Sequence, residues 1–527
     1  MAANETESDV GYQTGAPDER NGDGFVIGPA DPRSPCIIGV GQRTWRPDAG
    51  DVAPEPLDMW VRVAEMAAVD AGGRQVLRDL DALHLVHCMS WAYDDGPRRL
   101  ADRLGVEVAH REVSVLAGTA SQRMVNAAAE RMLAGSCELA LVVGGEALAT
   151  RRRLGQTGCE PNWSHPSNAA DQAPIDLDEW FWPTDWAHDV IEPTLTFAAL
   201  DTARRARVGL KPDDYHHFEA GLLAGFTEIA ATNPHAWFPQ RRTPAEIATV
   251  SSANRMISSP YTKRMVAIMD VDMAAALLVA THAKADELGV PRDQRVYLRG
   301  WSFGRDATHL AERPFLDQSR AMAVAAAAAL ASAGIGIDDV AHLDLYSCFA
   351  SSVLFAADAL GLAADDPRGF TVTGGLPYHG GPASNYTAHA IASVVERLRR
   401  DGRGFGTVSG VGMHMTKHVW AVFGTDPGPL VPPDYTAVQT LIDAHPVRPV
   451  VASVPGEVAG RIACYSVTHD RSRAPATALV IAELDGGARA YARSTDADTL
   501  AALGSHEWVG RPVRLRPGPE DTNEFVL

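Results

Sequence analysis

Four histidines stand in two glycine-containing stretches of this 527-residue sequence. His379 and His389 lie in TGGLPYHGGPASNYTAH, and His414 and His418 in GVGMHMTKH. Imidazole changes charge near neutral pH, so it suits general acid/base work. His379 has glycines on its C-terminal side, where backbone can approach a ligand closely. His418 follows Lys417, a pair suited to a ligand contact, whereas His389 falls within a helical pattern and reads as a packed residue. The Asn385 amide both donates and accepts hydrogen bonds. In the segment YSCF, Tyr346 can donate to a developing oxyanion and Cys348 offers a thiol. Each residue also has a plainer reading: a packed core cysteine, a buried tyrosine tied to backbone, or polar groups steadying a loop.

Other chemistries find no support in the spacing. The six cysteines, at 36, 88, 137, 159, 348 and 464, form no CxxC pair and no zinc pattern. This predicts reduced thiols in a cytoplasmic protein, with no metal site. Gly144-Gly145, Gly374-Gly375 and Gly380-Gly381 read first as tight-turn residues. None belongs to a phosphate-binding loop or a full dinucleotide fingerprint, so no tightly bound cofactor is expected. The net charge of -19 argues against nucleic-acid binding. No run is long and apolar enough for a membrane span.

The elements that must carry these residues alternate. Residues 36–41, 82–88, 112–116 and 139–143 read as strands, and 56–71 and 119–133 as helices. After an irregular, aromatic-rich stretch the alternation resumes, with helices at 320–333, 351–360 and 387–399 and strands at 296–301, 342–346, 405–411 and 419–423. The recurrence predicts two similar α/β halves. The expected division is a disordered leader at 1–34, a first half at 35–150, an insertion at 151–260, a second half at 261–426, and a linker with a small β-rich domain at 427–527.

Four segments across residues 35–425 resemble the thiolase superfamily. Residues 117–149 resemble the helix that begins at the thiolase nucleophile, with Gly118 where the cysteine would stand. YSCF resembles the HDCF motif, with Tyr346 at its first position. Residues 373–386 resemble the GGxxxxGHPxGxSG loop, whose histidine aligns with Gly381. Residues 407–420 resemble the CxGGG segment, whose cysteine falls near Gly410. The segments look most like thiolase-like proteins named acetyl-CoA acetyltransferases, related to the sterol-carrier type and carrying an added C-terminal β-domain.

The resemblance implies a duplicated, five-layered α-β-α-β-α thiolase fold with a large loop insertion and a C-terminal β-rich domain. It implies an acyltransferase-like protein acting on acyl-CoA or 3-ketoacyl-CoA, with coenzyme A as substrate and a homodimer as default. Its catalytic candidates are His379, Tyr346, Asn385, His418 and Cys348. Gly118, Gly375, Gly381 and Lys417 are the candidate CoA contacts, around a cleft shaped for pantetheine with free N–H donors at the Gly118 helix terminus. The alternatives are a non-catalytic acyl-CoA or lipid-binding partner protein and a hydrolase of β-diketones.

Overall fold

The computed structural model describes residues 31–50, 52–168 and 180–527. The expected leader lies outside them apart from 31–34. The first half contains β1 (Pro35–Thr44), α1 (Pro56–Asp70), β2 (Ala82–Leu85), α2 (Gly96–Leu104), β3 (His110–Val113), α3 (Ala120–Leu133) and β4 (Leu139–Ala147). The insertion holds α4 (Leu148–Gln156), α5 (Pro183–Ala187), α6 (Pro193–Val208), α7 (Pro212–Thr232), α8 (Pro244–Ala248), β5 (Met256–Ser258) and β6 (Tyr261–Thr262). Then follow β7 (Asp272–Thr281), α9 (His282–Glu287), β8 (Val296–Arg305), α10 (Arg320–Ala333), β9 (Val340–Asp344), α11 (Ala350–Leu360), α12 (Tyr386–Asp401), β10 (Phe405–Gly412) and β11 (Lys417–Gly424). The C-terminal region has α13 (Tyr435–Ile442), β12 (Val458–His469), β13 (Pro475–Leu484), β14 (Arg489–Ser494), α14 (Ala497–Ser505), β15 (Pro512–Pro517) and β16 (Asn523–Val526).

The main sheet has the order β3-β2-β4-β7-β1-β8-β11-β10-β9. At its middle, β1 and β8 meet over only Cys36–Tyr297 and Ile37–Val296. One plan repeats on both sides of that junction. Strands β2 and β4 pair parallel, as do β9 and β10. Strands β4 and β7 pair antiparallel, as do β10 and β11, and β7–β1 matches β11–β8. The duplication expected from the pattern is therefore a duplication of topology.

Both lead strands use glycine to let a helix lie against them. A Cβ at Gly39 would overlap the Ala67 carbonyl oxygen of α1, and one at Gly300 would overlap the Ala329 carbonyl oxygen of α10. Helices α1 and α2 cover one outer face, α3 and α12 fill the middle, and α10 and α11 cover the other outer face. Side-chain alternation feeds two cores from one strand. Leu139, Leu141 and Val143 of β4 pack outward with α1, and Ala140 and Val142 pack inward with α3. This is the five-layered α/β architecture that the resemblance implied.

Several local expectations change. Gly144 and Gly145 lie inside β4, opposite Ala275 and Ala274 of β7, and not in a turn. Close packing is the reason: a Cβ at Gly144 would come within 2.6 Å of Val86 Cβ. Helix α13, which sequence composition reads as linker, packs on β8 and α10. In the C-terminal region β12 pairs with β13 on one edge and β15 on the other, closing β12, β13, β14, β16 and β15 into a small barrel. Strand β5 of the insertion pairs with β12, so insertion and C-terminal region share a sheet. Local composition cannot reveal such a pairing, because the partners are far apart in sequence. Among the described residues no helix is long and apolar enough to cross a membrane.

Candidate active site

The turn before α3 ends at a helix N-terminus, where backbone N–H groups and the helix dipole favour negative charge. A Cβ at Gly118 would overlap the Val411 carbonyl oxygen and the Tyr346 hydroxyl, and would lie 2.7 Å from Tyr346 Cζ. The phenol therefore occupies the space in front of Gly118. Gly410 backs onto the same turn, its Cβ position being 3.1 Å from the Gly118 oxygen and 3.2 Å from Thr119 Cα. The N–H donors expected to be free here are partly used. Ala117 N donates to Ser384 Oγ at 3.1 Å and Gln122 N to Thr387 Oγ1 at 3.2 Å. In return, Ala388 N donates to Ser121 Oγ at 3.1 Å. The two central helices start side by side, and each caps the other.

Tyr346 is fixed by its backbone. Its N–H donates to Ser409 Oγ at 2.9 Å, and its carbonyl accepts from Ser352 Oγ at 2.6 Å. With 6% exposure the residue is buried, and burial raises its phenol pKa, so it is a neutral donor. Its ring meets Tyr386 edge-on at 5.5 Å. The Tyr386 hydroxyl donates to Asp344 Oδ1 at 2.9 Å. Asp344 Oδ2 also accepts from Val372 N at 2.9 Å and Thr373 N at 3.2 Å. Asp344 thus ties the glycine loop to the start of α12. Sequence reading missed this residue, although a carboxylate within the apolar run HLDLY signals a buried charge that must find partners.

His379 is fully buried, and Tyr386 stands between it and Tyr346 in edge-on contact with both. Its Nδ1 lies 3.1 Å from the Gly380 oxygen, and Nε2 has no partner. Burial pushes its pKa down to about 4, so it is neutral at pH 7. His389, in α12, packs 5.1 Å from the His379 ring and has Nδ1 3.0 Å from Gln42 Oε1. Asn385 reaches the Ala275 oxygen at 3.5 Å, while its Oδ1 is unpartnered and faces Gly144. Burial pushes the Cys348 thiol up to about 12, which leaves a thiol and not a thiolate.

The structure does not gather every candidate. Val419 Cγ1 lies 2.7 Å from the Cβ position of Gly410, on the side of the Gly118 turn. Alternation turns its neighbour His418 to the opposite face. There Nε2 lies 3.2 Å from Ser319 Oγ and 3.4 Å from Asp306 Oδ2, in a buried network with Arg313. His418 therefore drops out as a ligand contact for the Gly118 turn. Lys417 keeps the Val419 side: its Cβ flanks Gly412 together with Ala117, and its ammonium stands 5.3 Å from the Trp180 ring centre. Gly375 and Gly381 abut protein, the first against Phe226 and Ser347, the second against Leu376. Where the pantetheine cleft was expected, Tyr346 fills the space directly before Gly118. Cavities of about 210 and 330 Å³ lie elsewhere, one beside Arg320 and His445, the other between α7 and α8.

Three of the eight non-glycine residues with positive φ among the described residues lie in the loops near the site. Ala383, Met413 and Met415 adopt positive φ values of 43°, 53° and 59° without being glycine. Such conformations persist where surrounding structure enforces them and cluster at functional sites. His414, between the two methionines, is held by Thr196 Oγ1 at 2.6 Å and by the Phe181 ring, so the insertion clamps this loop. Ala117, Gly118, Met413 and Lys417 remain partly exposed and form the rim.

Comparison with known proteins decides the family. A solved structure of a monomeric SCP2-thiolase like protein type 1 from Mycobacterium smegmatis is 32% identical, with a TM-score of 0.82, covering 94% of this chain and 99% of that one. This chain belongs to the thiolase superfamily, among the SCP2-thiolase-like proteins. Residues 437–520 match the family model for the thiolase-like protein type 1 additional C-terminal domain. A 3-ketoacyl-CoA thiolase of Escherichia coli is 33% identical over 177 residues, which are 31% of this chain and 36% of that protein. The match thus spans about a third of the curated relative. Human mitochondrial 3-ketoacyl-CoA thiolase shares the fold, with 13% identity and a TM-score of 0.53 over 75% of this chain.

Gly118 and Gly410, two of the positions singled out by the motif resemblance, meet at the start of α3, whereas Gly381 packs against Leu376. The Tyr346 phenol takes up the space that a side chain at Gly118 would need.

Proposed function

We propose that this protein acts on acyl-CoA thioesters without forming an acyl-enzyme, with the Tyr346 hydroxyl as the donor to the reacting carbonyl oxygen. The observation that carries the reading is the phenol in front of Gly118, at the N-terminus of α3. In a 3-ketoacyl-CoA, the thiolate of a second CoA would add to C3 directly. The C2–C3 bond then breaks, its electron pair moves onto C2 as an enolate, and C2 takes a proton from solvent, balancing the one the CoA thiol gave up to solvent on ionising. The products are two acyl-CoAs, so atoms balance without an enzyme nucleophile. Tyr346 donates where the oxyanion develops, and the helix terminus adds a favourable field. The partly exposed rim at Gly118, Met413 and Lys417 is the proposed approach, with Lys417 near the CoA phosphates. We carry over the monomeric state of the Mycobacterium smegmatis relative in place of a homodimer.

A second reading, acyl-CoA or lipid binding without turnover, draws support from the complete burial of His379. His379 is then out of reach of solvent as an acid/base group. Mass spectrometry of mixtures with 3-ketoacyl-CoAs of several chain lengths, with and without CoA, separates the two. Tyr346→Phe is expected to lower kcat/KM about 10²-fold, the loss typical of one oxyanion donor, while the melting temperature stays near that of the parent. Turnover unaffected by this variant would remove Tyr346 from the chemistry. Saturable binding with no product at any chain length would establish the second reading. Cleavage of a β-diketone in the absence of CoA would instead identify a hydrolase.

A further inference from the structure

At the β3 edge of the main sheet, strands β2 and β3 bring two imidazoles and a carboxylate to one face. They pair parallel, with His84 opposite Glu112 and Ala82 opposite His110. His110 and Glu112 are two residues apart and so share a face, and direct pairing adds His84 to it. Ala82, on the same side of β2, joins the central core, so the cluster faces the α3 layer. Nδ1 of His84 lies 2.5 Å from Glu112 Oε1, and Nε2 of His110 lies 3.3 Å from Glu112 Oε2. The three ligand atoms are all within 4.8 Å of one another. His84 is fully buried, and its other ring nitrogen has no partner. His110 and Glu112 keep 30% and 21% side-chain exposure, leaving one side open to water. Arg131, near the C-terminal end of α3, is the neighbouring cation.

We propose that His84, His110 and Glu112 form a binding site for one Zn²⁺ ion, with water completing the shell. Zinc takes imidazole nitrogen and carboxylate oxygen at about 2.0–2.2 Å in tetrahedral geometry, which puts neighbouring donors about 3.3 Å apart. The His110–Glu112 separation of 3.3 Å matches that value, and the His84–Glu112 separation of 2.5 Å must widen to admit the ion. The donor set lacks sulfur, which suits zinc and other borderline divalent ions over copper(I). The ion joins the edge strand β3 to its neighbour by side-chain ligation, in addition to the backbone ladder. This site is separate from the Gly118 turn and does not depend on the proposed acyl-CoA chemistry. Sequence spacing hides it, because His84 and Glu112 are 28 residues apart and meet only through strand pairing.

The test uses full-length protein freed of metal with EDTA and titrated with Co²⁺. One equivalent is expected to bind with the visible spectrum of a four-coordinate nitrogen and oxygen site, and Zn²⁺ is expected to displace it. Zn²⁺ is also expected to raise the melting temperature. His110→Ala and Glu112→Gln, both at the partly exposed edge, are expected to lower affinity at least tenfold and to abolish the zinc-dependent melting shift. Circular dichroism checks that the variants fold, and two independent variants guard against one that does not. Absence of saturable Co²⁺ uptake would overturn the proposal, as would parental affinity in both variants. A thiolate-to-cobalt charge-transfer band would do the same by assigning the ion to cysteine.

Discussion

Gly118→Cys is expected to lower stability by about 3 kcal/mol or more and to leave the protein without a thiolase acyl-enzyme. Any side chain at this position starts from a Cβ that overlaps both the Tyr346 hydroxyl and the Val411 carbonyl oxygen. A phenol can swing aside, but the carbonyl belongs to β10, where Val411 stands opposite His418 in the ladder with β11. Relief therefore requires movement of a paired strand, and overpacking a well-packed site forces costly backbone shifts. Tyr346→Ala added to Gly118→Cys removes one of the two collisions and is expected to recover no acylation. Urea unfolding measures the stability, and intact mass after incubation with an acyl-CoA measures the adduct. A stable single variant that accumulates an acyl adduct would show that the turn is roomier than its packing implies.

Acidification from pH 6.5 to 4 is expected to remove a large share of the stability. Burial holds His379 and His414 at pKa values of about 4, against about 6.5 in an unfolded chain. Both are depressed in the folded state, so the unfolded chain binds more protons in this window. Stability is complete above pH 6.5 and falls as the pH drops toward 4. A shift of this size corresponds to about 3 kcal/mol for each histidine, hence about 6 kcal/mol for the pair as an order of magnitude. Burial lowers His389 as well, in the same sense. Buried carboxyls such as Asp344 and Glu146 have raised pKa values and oppose the trend, since folding then favours their protonated forms as the pH falls. The histidine contribution is isolated by comparing the parent with His414→Gln in urea titrations between pH 7.5 and 4. The variant is expected to lose about 3 kcal/mol less across the window. Identical slopes for the two proteins would remove His414 from the account.

Much of the fold was legible because its signals are local. The alanine-rich helix expected at 119–133 is α3, Ala120–Leu133, and the helix expected at 320–333 is α10, stopped by Gly334 in the left-handed region at φ 70°. Apolar runs marked the central strands because both faces of a buried strand meet core. The edge strands were less distinct. Strand β3 alternates in burial and lies two to three residues before its expected place. The hairpin β5–β6 carries no periodic signal, being two short strands that find order only against β12.

At the site, residue types and motif order supplied the candidate positions. Motif order pointed to Gly118, Gly381 and Gly410 as replaced reactive positions and to Tyr346 as the residue heading YSCF. Those readings follow from chemistry carried by single side chains and from short spacings along the chain. What fills the space before Gly118, which face His418 takes, why Asp344 holds the glycine loop, and how His84 meets Glu112 were decided by the tertiary structure. Each depends on strand register and helix packing between distant segments, and one residue of register reverses the face on which a side chain stands. The sequence by itself thus determined the kind of protein, while three-dimensional packing, which brings distant segments together, determined that the Tyr346 phenol stands before Gly118.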